Sequence, residues 1–255
     1  MSLFYREFGN GSREGLAVLH GLLGSGENWR GPAKKLSAHF DVVTLDLRNH
    51  GNSFHADKMD YPTMAEDVFQ TLTAISPEPW RVLGHSMGGK VAMKMALSRP
   101  EAVEKLVVVD IAPFRYKPIY GNLFESLQHI DPAAISSRGD ADRKLQAYVP
   151  DRLVRHFLLK NLVRNPDGSY SWRVNIDSLK ENYPNIWAGI EDEGKYEGPT
   201  LFIEGERSES GISEQFGEIR RWFPNAVLER IPKAGHWVHS ENPSAFLAAV
   251  TRFLQ

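Results

Sequence analysis

Six short runs of leucine and β-branched residues recur along the chain, with amphipathic helical stretches between them. The runs are LAVLHG (Leu16–Gly21), DVVTLD (Asp41–Asp46), WRVLGH (Trp80–His85), KLVVVD (Lys105–Asp110), TLFIEG (Thr200–Gly205) and AVLERI (Ala226–Ile231). Near-continuous apolar runs of this length suit strands buried on both faces. The stretches Met64–Ile75, Gly88–Ser98, Ser213–Phe223 and Pro243–Leu254 carry the helical period. Such alternation predicts an α/β fold, a mostly parallel sheet with helices on both faces.

The rhythm breaks between about Pro113 and Gly198. NLFESLQHI, ADRKLQAYV and DRLVRHFLLKNLV read as helices there, and GSYSWRVN as a short extended piece. A structureless connection of that length does not fit inside a compact layer. The segment 113–198 is therefore expected to be an inserted helical cap on a core of 1–112 and 199–255. Its aromatics Phe114, Tyr116, Tyr120, Phe124, Phe157, Trp172, Tyr183 and Trp187 are expected mainly to fill the cap and its seam, with a few lining a pocket.

At 255 residues the chain suits one large α/β domain. A formal charge of −2 gives no electrostatic case for nucleic acid or an anionic membrane as partner. With no cysteine, disulfides, thiolate metal sites and cysteine nucleophiles are excluded. MSLFYREFGNGSREG does not read as a signal peptide, and no apolar window is long enough to span a bilayer. A cytoplasmic protein acting on a small molecule is expected.

GHSMGG (Gly84–Gly89) follows the run WRVL and opens a helix. G-x-S-x-G alone is a weak signal. Between a buried strand and a helix it predicts a sharp turn that strains the serine backbone and exposes its hydroxyl. Ser86 then becomes a candidate nucleophile, with helix N–H groups behind it. HGLLGS (His20–Ser25) ends the first run, and a turn there can aim the Leu22 N–H at the same point as the Met87 N–H. Two such donors form an oxyanion hole. KAGHWVH (Lys233–His239) follows the last run, placing His236 where a general base must lie.

In this order HGLLGS, LDLRNHGNS, GHSMGG, VDIAP and GHWVH resemble the α/β-hydrolase superfamily over essentially the whole chain. The combination of DLRNHGNS, GHSMGGK, VDIAPFRY and GHWVH further resembles the small bacterial YbfF-like esterases. The resemblance implies an eight-stranded, mostly parallel sheet with the cap after the sixth strand. It also implies Ser86 as nucleophile, His236 as base, and Leu22 and Met87 as oxyanion donors.

The acid departs from the family pattern. An aspartate commonly follows the strand that here reads TLFIEG, and that spacing lands on Ser208. Asp110, at the end of KLVVVD, is the expected replacement: a right-handed crossover puts its strand beside the nucleophile strand, and the resemblance implies a strand order in which it also neighbours TLFIEG. Moving the acid there shifts it by about 5 Å, one strand spacing. Glu206, Glu209 and Asp177 remain alternatives.

The other histidines take blander readings. His20 is expected to shape the oxyanion turn, His50 to brace the loop after DVVTLD, and His85 to pack beside the elbow. His239 has no ligand partners at metal spacing. Asp46 and Arg48 are expected to hold loops, and Glu66 and Asp67 to form a solvated helix face. The chain therefore reads as a serine hydrolase of carboxylic esters or thioesters with short-to-medium acyl chains. It is expected to need no cofactor and no metal. A cofactorless lyase or synthase using the same residues as a base, or a low-turnover ligand receptor, are the competing readings.

Overall fold

The computed structural model describes residues 1–11, 13–117, 121–190 and 194–255. Its main sheet contains β1 (Tyr5–Phe8), β2 (Gly15–Leu19), β3 (Asp41–Leu45), β4 (Trp80–His85) and β5 (Val103–Val109). After β6 (Leu162–Arg164) and β7 (Tyr170–Trp172), which pair only with each other, β8 (Thr200–Gly205) and β9 (Ala226–Ile231) complete it. The order is β1-β3-β2-β4-β5-β8-β9, and only β1 runs antiparallel to its neighbour.

Two expectations need correction. The main sheet has seven strands among the described residues, not eight, and the insertion follows its fifth strand, not its sixth. The strand that sequence patterning misses is β1. YREF sets two charged residues between two aromatics and pairs only along an edge, against β3. It therefore lacks the continuous apolar run of a central strand.

Side-chain alternation divides the core. Ala17 and Leu19 of β2 join Val43, Val82, Leu106 and Val108 on one face; Leu16 and Val18 join Val42, Leu83, Val107 and Val109 on the other. Helices α1 (Arg30–Leu36), α2 (Tyr61–Ile75) and α3 (Met87–Ser98) fall within the first half of the chain. Helix α2 begins three residues before its apolar period, because Asp60 caps it by accepting the Thr63 N–H and Pro62 occupies its first turn. Helices α2 and α3 cover the first face. The second is covered by α1 and the C-terminal helix Pro243–Leu254, which buries Phe246, Ala249, Val250 and Leu254 along one stripe.

Between β5 and β8 the chain forms α4 (Gly121–Gln128), α5 (Arg138–Leu145), α6 (Arg152–Leu158), α7 (Ile176–Glu181) and α8 (Tyr183–Trp187), besides the β6–β7 ribbon. Phe124 and Tyr183 meet edge to face inside this insertion, with ring centroids 5.1 Å apart. Tyr120 lies outside the described residues. The ends of the insertion pair with each other, Tyr116 N–H to Trp187 O and Ile190 N–H to Pro113 O. Lys90 of α3 joins both ends from below, its Nζ donating to the carbonyls of Phe114 (2.7 Å) and Ala188. Burial pulls this ammonium down to about 7. Further along lie α9 (Phe216–Ile219), α10 (Val238–Glu241) and α11, the C-terminal helix Pro243–Leu254. The periodic stretch Ser213–Phe223 forms only the single turn α9. Among the described residues no helix is long and apolar enough to cross a membrane.

Candidate active site

The site is built where parallel strands end. Ser86 stands between β4 and α3 with φ 54° and ψ −123°, a backbone region that non-glycine residues rarely enter. Its N–H is held by the Val109 carbonyl at the end of β5. The close approach requires glycine on both sides. A Cβ on Gly84 would sit 2.2 Å from the Gly88 carbonyl oxygen, and one on Gly88 would sit 2.5 Å from the carbonyl oxygens of Leu19 and His20. The obstruction at Gly88 is the neighbouring strand, while at Gly84 it is the elbow helix itself.

Asp110 follows β5 with φ 57°, and the residue is 1% exposed. Oδ1 accepts the Gly205 N–H (2.9 Å). Oδ2 accepts both His236 Nδ1–H (2.8 Å) and the Ser208 hydroxyl (2.5 Å). A carboxylate only accepts, so the imidazole carries its proton on Nδ1 and leaves Nε2 as an acceptor. Nε2 faces Ser86 Oγ at 3.1 Å. Ser86, His236 and Asp110 thus form one hydrogen-bonded chain, and Ser208 donates to its far end. The His236 loop lies close against the sheet, with the Arg207 N–H donating to the Ala234 carbonyl (2.8 Å). Gly205 leaves room for the Gly235 carbonyl, and His85 Nε2–H donates to the His236 carbonyl (2.9 Å).

The alternative carboxylates lie elsewhere. Glu206 is exposed and accepts the Lys233 N–H, Asp177 accepts from Gln128 within the insertion, and Glu209 is exposed at the rim. Ser208, expected only as a gap, is the residue whose role the sequence does not disclose. Its contact with Asp110 depends on how two loops meet, and no local pattern encodes that.

Opposite the elbow, β2 pairs with β4 and delivers the turn Gly21–Gly24 beside Ser86. The Gly21 carbonyl accepts the Gly24 N–H (3.0 Å) and His20 Nδ1–H (2.8 Å). Because a trans peptide sets N–H opposite C=O, holding the Gly21 oxygen aims the Leu22 N–H the other way. Leu22 and Met87 both line the cavity that contains Ser86. Met87 opens α3, so its N–H has no partner within the helix. His20 and His50 supply the frame in neutral form. His20 Nε2 accepts the Leu47 N–H, and His50 Nε2 accepts the Leu23 N–H. Burial pulls His20 down to about 4, and burial together with His20 pulls His50 to about 3.

Asp46 holds loops as expected, accepting from the N–H groups of Gly26 and Asn52. Asp67 corrects the reading of a solvated face: it is buried and pairs with Arg48 through two hydrogen bonds of 2.6 and 2.8 Å. Among the described residues no group of three or more His, Asp or Glu could hold a metal ion.

The cavity encloses about 290 Å³ between the strand ends and the insertion. Ser86 and His236 open onto one wall, and Tyr61, Tyr116, Tyr183 and Trp187 supply much of the apolar surface. Such a space suits a small, largely apolar ligand.

Comparisons agree with this architecture. Residues 16–243 match the model of the alpha/beta hydrolase fold family. The chain is 39% identical to mouse (Mus musculus) sn-1-specific diacylglycerol lipase ABHD11, over 96% of this chain and 82% of that one. It is 35% identical to esterase YbfF of Escherichia coli, over 94% and 92% respectively. A solved structure described as a marine microorganism esterase superposes with a TM-score of 0.95 at 40% identity, covering 99% of both chains.

Proposed function

This chain belongs to the α/β-hydrolase fold family, and from that premise we propose that it is a serine esterase working through an acyl-enzyme. Its substrates are carboxylic esters or thioesters with short-to-medium acyl chains. Residues 113–198 act as a cap over a catalytic core formed by 1–112 and 199–255. The observation that carries this reading is the hydrogen-bonded chain Ser86–His236–Asp110 opening onto an apolar cavity. The names of the mouse lipase and the bacterial esterase support an ester as substrate.

Ser86 Oγ attacks the acyl carbon while His236 Nε2 takes its proton. Asp110 holds the imidazole in the Nδ1–H tautomer and stabilises the imidazolium that forms. The N–H groups of Leu22 and Met87 receive the oxyanion. His236 then protonates the leaving alcohol or thiol. Water enters, gives its proton to the same nitrogen and attacks the acyl-enzyme, releasing acid and free Ser86.

The cavity sets the chain-length expectation. Each methylene buried against its aromatic wall contributes about 0.8 kcal/mol, until the space is filled. A panel of p-nitrophenyl esters and matched acyl thioesters, graded in chain length, tests this. kcat/KM should rise over the first few carbons and then fall. A preference for emulsified long-chain triacylglycerol over soluble short esters would overturn the chain-length assignment.

A further inference from the structure

Among the described residues, four hydrogen bonds hold the turn that carries the Leu22 N–H, and one of them comes from the insertion. Leu23 has φ 59°, a left-handed conformation uncommon for a leucine, and its side chain is buried. Its N–H donates to His50 Nε2 (3.1 Å) and its carbonyl accepts from Asn161 Nδ2 (2.8 Å). These two contacts grip the peptide planes on either side of the Leu23 Cα, and so fix both of its torsions. The plane on the N-terminal side shares the Leu22 Cα with the plane that bears the Leu22 N–H. The other two contacts, Gly24 N–H and His20 Nδ1–H on the Gly21 carbonyl, complete the frame.

Asn161 ends the short turn Leu159–Asn161 that precedes β6 and is 4% exposed. Its own carbonyl accepts the Arg173 N–H (2.8 Å) from just beyond β7, so the ribbon fixes its backbone. Three contacts on the turn therefore belong to the core, and the fourth reaches across from the cap.

We propose that Asn161 is a positioning residue for the oxyanion turn, so that seating the cap and aligning the Leu22 N–H are one event. The proposal rests on the esterase reading above. If the cap lifts, the Leu23 carbonyl loses its donor and the strained torsions are free to relax. The Leu22 N–H then leaves the point at which it meets the Met87 N–H. A site open to solvent is thereby also a site with a poor oxyanion hole.

The test compares wild type with Asn161→Ala, the near-isosteric Asn161→Asp, and Ser178→Ala. Ser178 bonds Asn49 and the Ala56 carbonyl at a different part of the seam, so its variant reports on loosening of the cap alone. Each protein is assayed for kcat and KM on a soluble ester, inhibition by a trifluoromethyl ketone, fluorophosphonate labelling, and thermal midpoint. The ketone forms a tetrahedral adduct whose oxyanion occupies the hole. Asn161→Ala should lower kcat about tenfold with KM little changed, and weaken the ketone by a similar factor. Asn161→Asp sets an acceptor against the Leu23 carbonyl and should lose at least as much. Ser178→Ala should shift the thermal midpoint without lowering kcat. Unchanged kcat in Asn161→Ala, or equal kcat loss in Ser178→Ala, would overturn the proposal. A wild type that neither hydrolyses esters nor takes the probe would instead overturn the esterase reading, and this proposal with it.

Discussion

Asp110 binds three donors with two oxygens: the Gly205 N–H, the Ser208 hydroxyl and the His236 imidazole. Replacing it with asparagine keeps the shape but offers an N–H where an acceptor is needed, which turns the imidazole to the wrong tautomer. Asp110→Asn should lower kcat by about 10⁴ with the far-ultraviolet spectrum unchanged. Glu206→Gln and Glu209→Gln should cost little, since neither carboxylate is bonded to His236; normal turnover of Asp110→Asn would contradict the assignment. Ser208 stands where the family pattern places its acid, and here it donates to Asp110. Ser208→Ala removes one charge-assisted hydrogen bond and should lower kcat about tenfold, roughly 1.4 kcal/mol, with KM steady. Ser86 and His236 were legible in sequence as candidate nucleophile and base because each sits in a short motif beside a strand. Asp67 was not, because its partner Arg48 comes from a preceding loop that no helical period on α2 can indicate.

At the scale of elements, the strand–elbow–helix unit β4–Ser86–α3 is set by how closely α3 lies on β2. Gly88→Ala places a methyl carbon against the Leu19 and His20 carbonyls, which are backbone and cannot rotate aside. The expected cost is about 1–3 kcal/mol of stability, as for other overpacked sites. The displaced β2 also carries the turn Gly21–Gly24, proposed above to hold the oxyanion, so esterase activity should fall more steeply than stability. Urea unfolding and kcat on one preparation check this, and a fully active, fully stable variant would show that the approach is looser than described. Central strands were readable because burial on both faces leaves continuous apolar runs. The edge strand β1 was not, and neither was α1, whose RGPAKKL offers a glycine, a proline and only two residues facing the core. The insertion was visible as a break in rhythm, but its contacts with the oxyanion turn depend on tertiary packing.

Across the whole molecule, three buried histidines and the half-buried His239 are held neutral. His20 and His239 are pulled to about 4, His50 to about 3 and His85 well below its ordinary value, with burial the leading cause in each. The unfolded chain takes up protons near 6.5 while the folded one resists, so ν_U exceeds ν_N below that pH and stability rises with pH there. The stabilisation is present above about 6.5 and is lost as pH falls toward 4, at up to about 1.4 kcal/mol per pH unit for each histidine. Urea midpoints should change little from pH 7.5 to about 6.5 and fall from there down to pH 5; a flat profile throughout would contradict the neutral assignment. The central claim is that Ser86 forms the acyl-enzyme, and intact-protein mass spectrometry with a fluorophosphonate tests it most directly. Wild type should gain one adduct per chain, mapped to the peptide containing Ser86, while Ser86→Ala should gain none and lose esterase activity. Equal labelling of the alanine variant would place the nucleophile elsewhere and contradict the account.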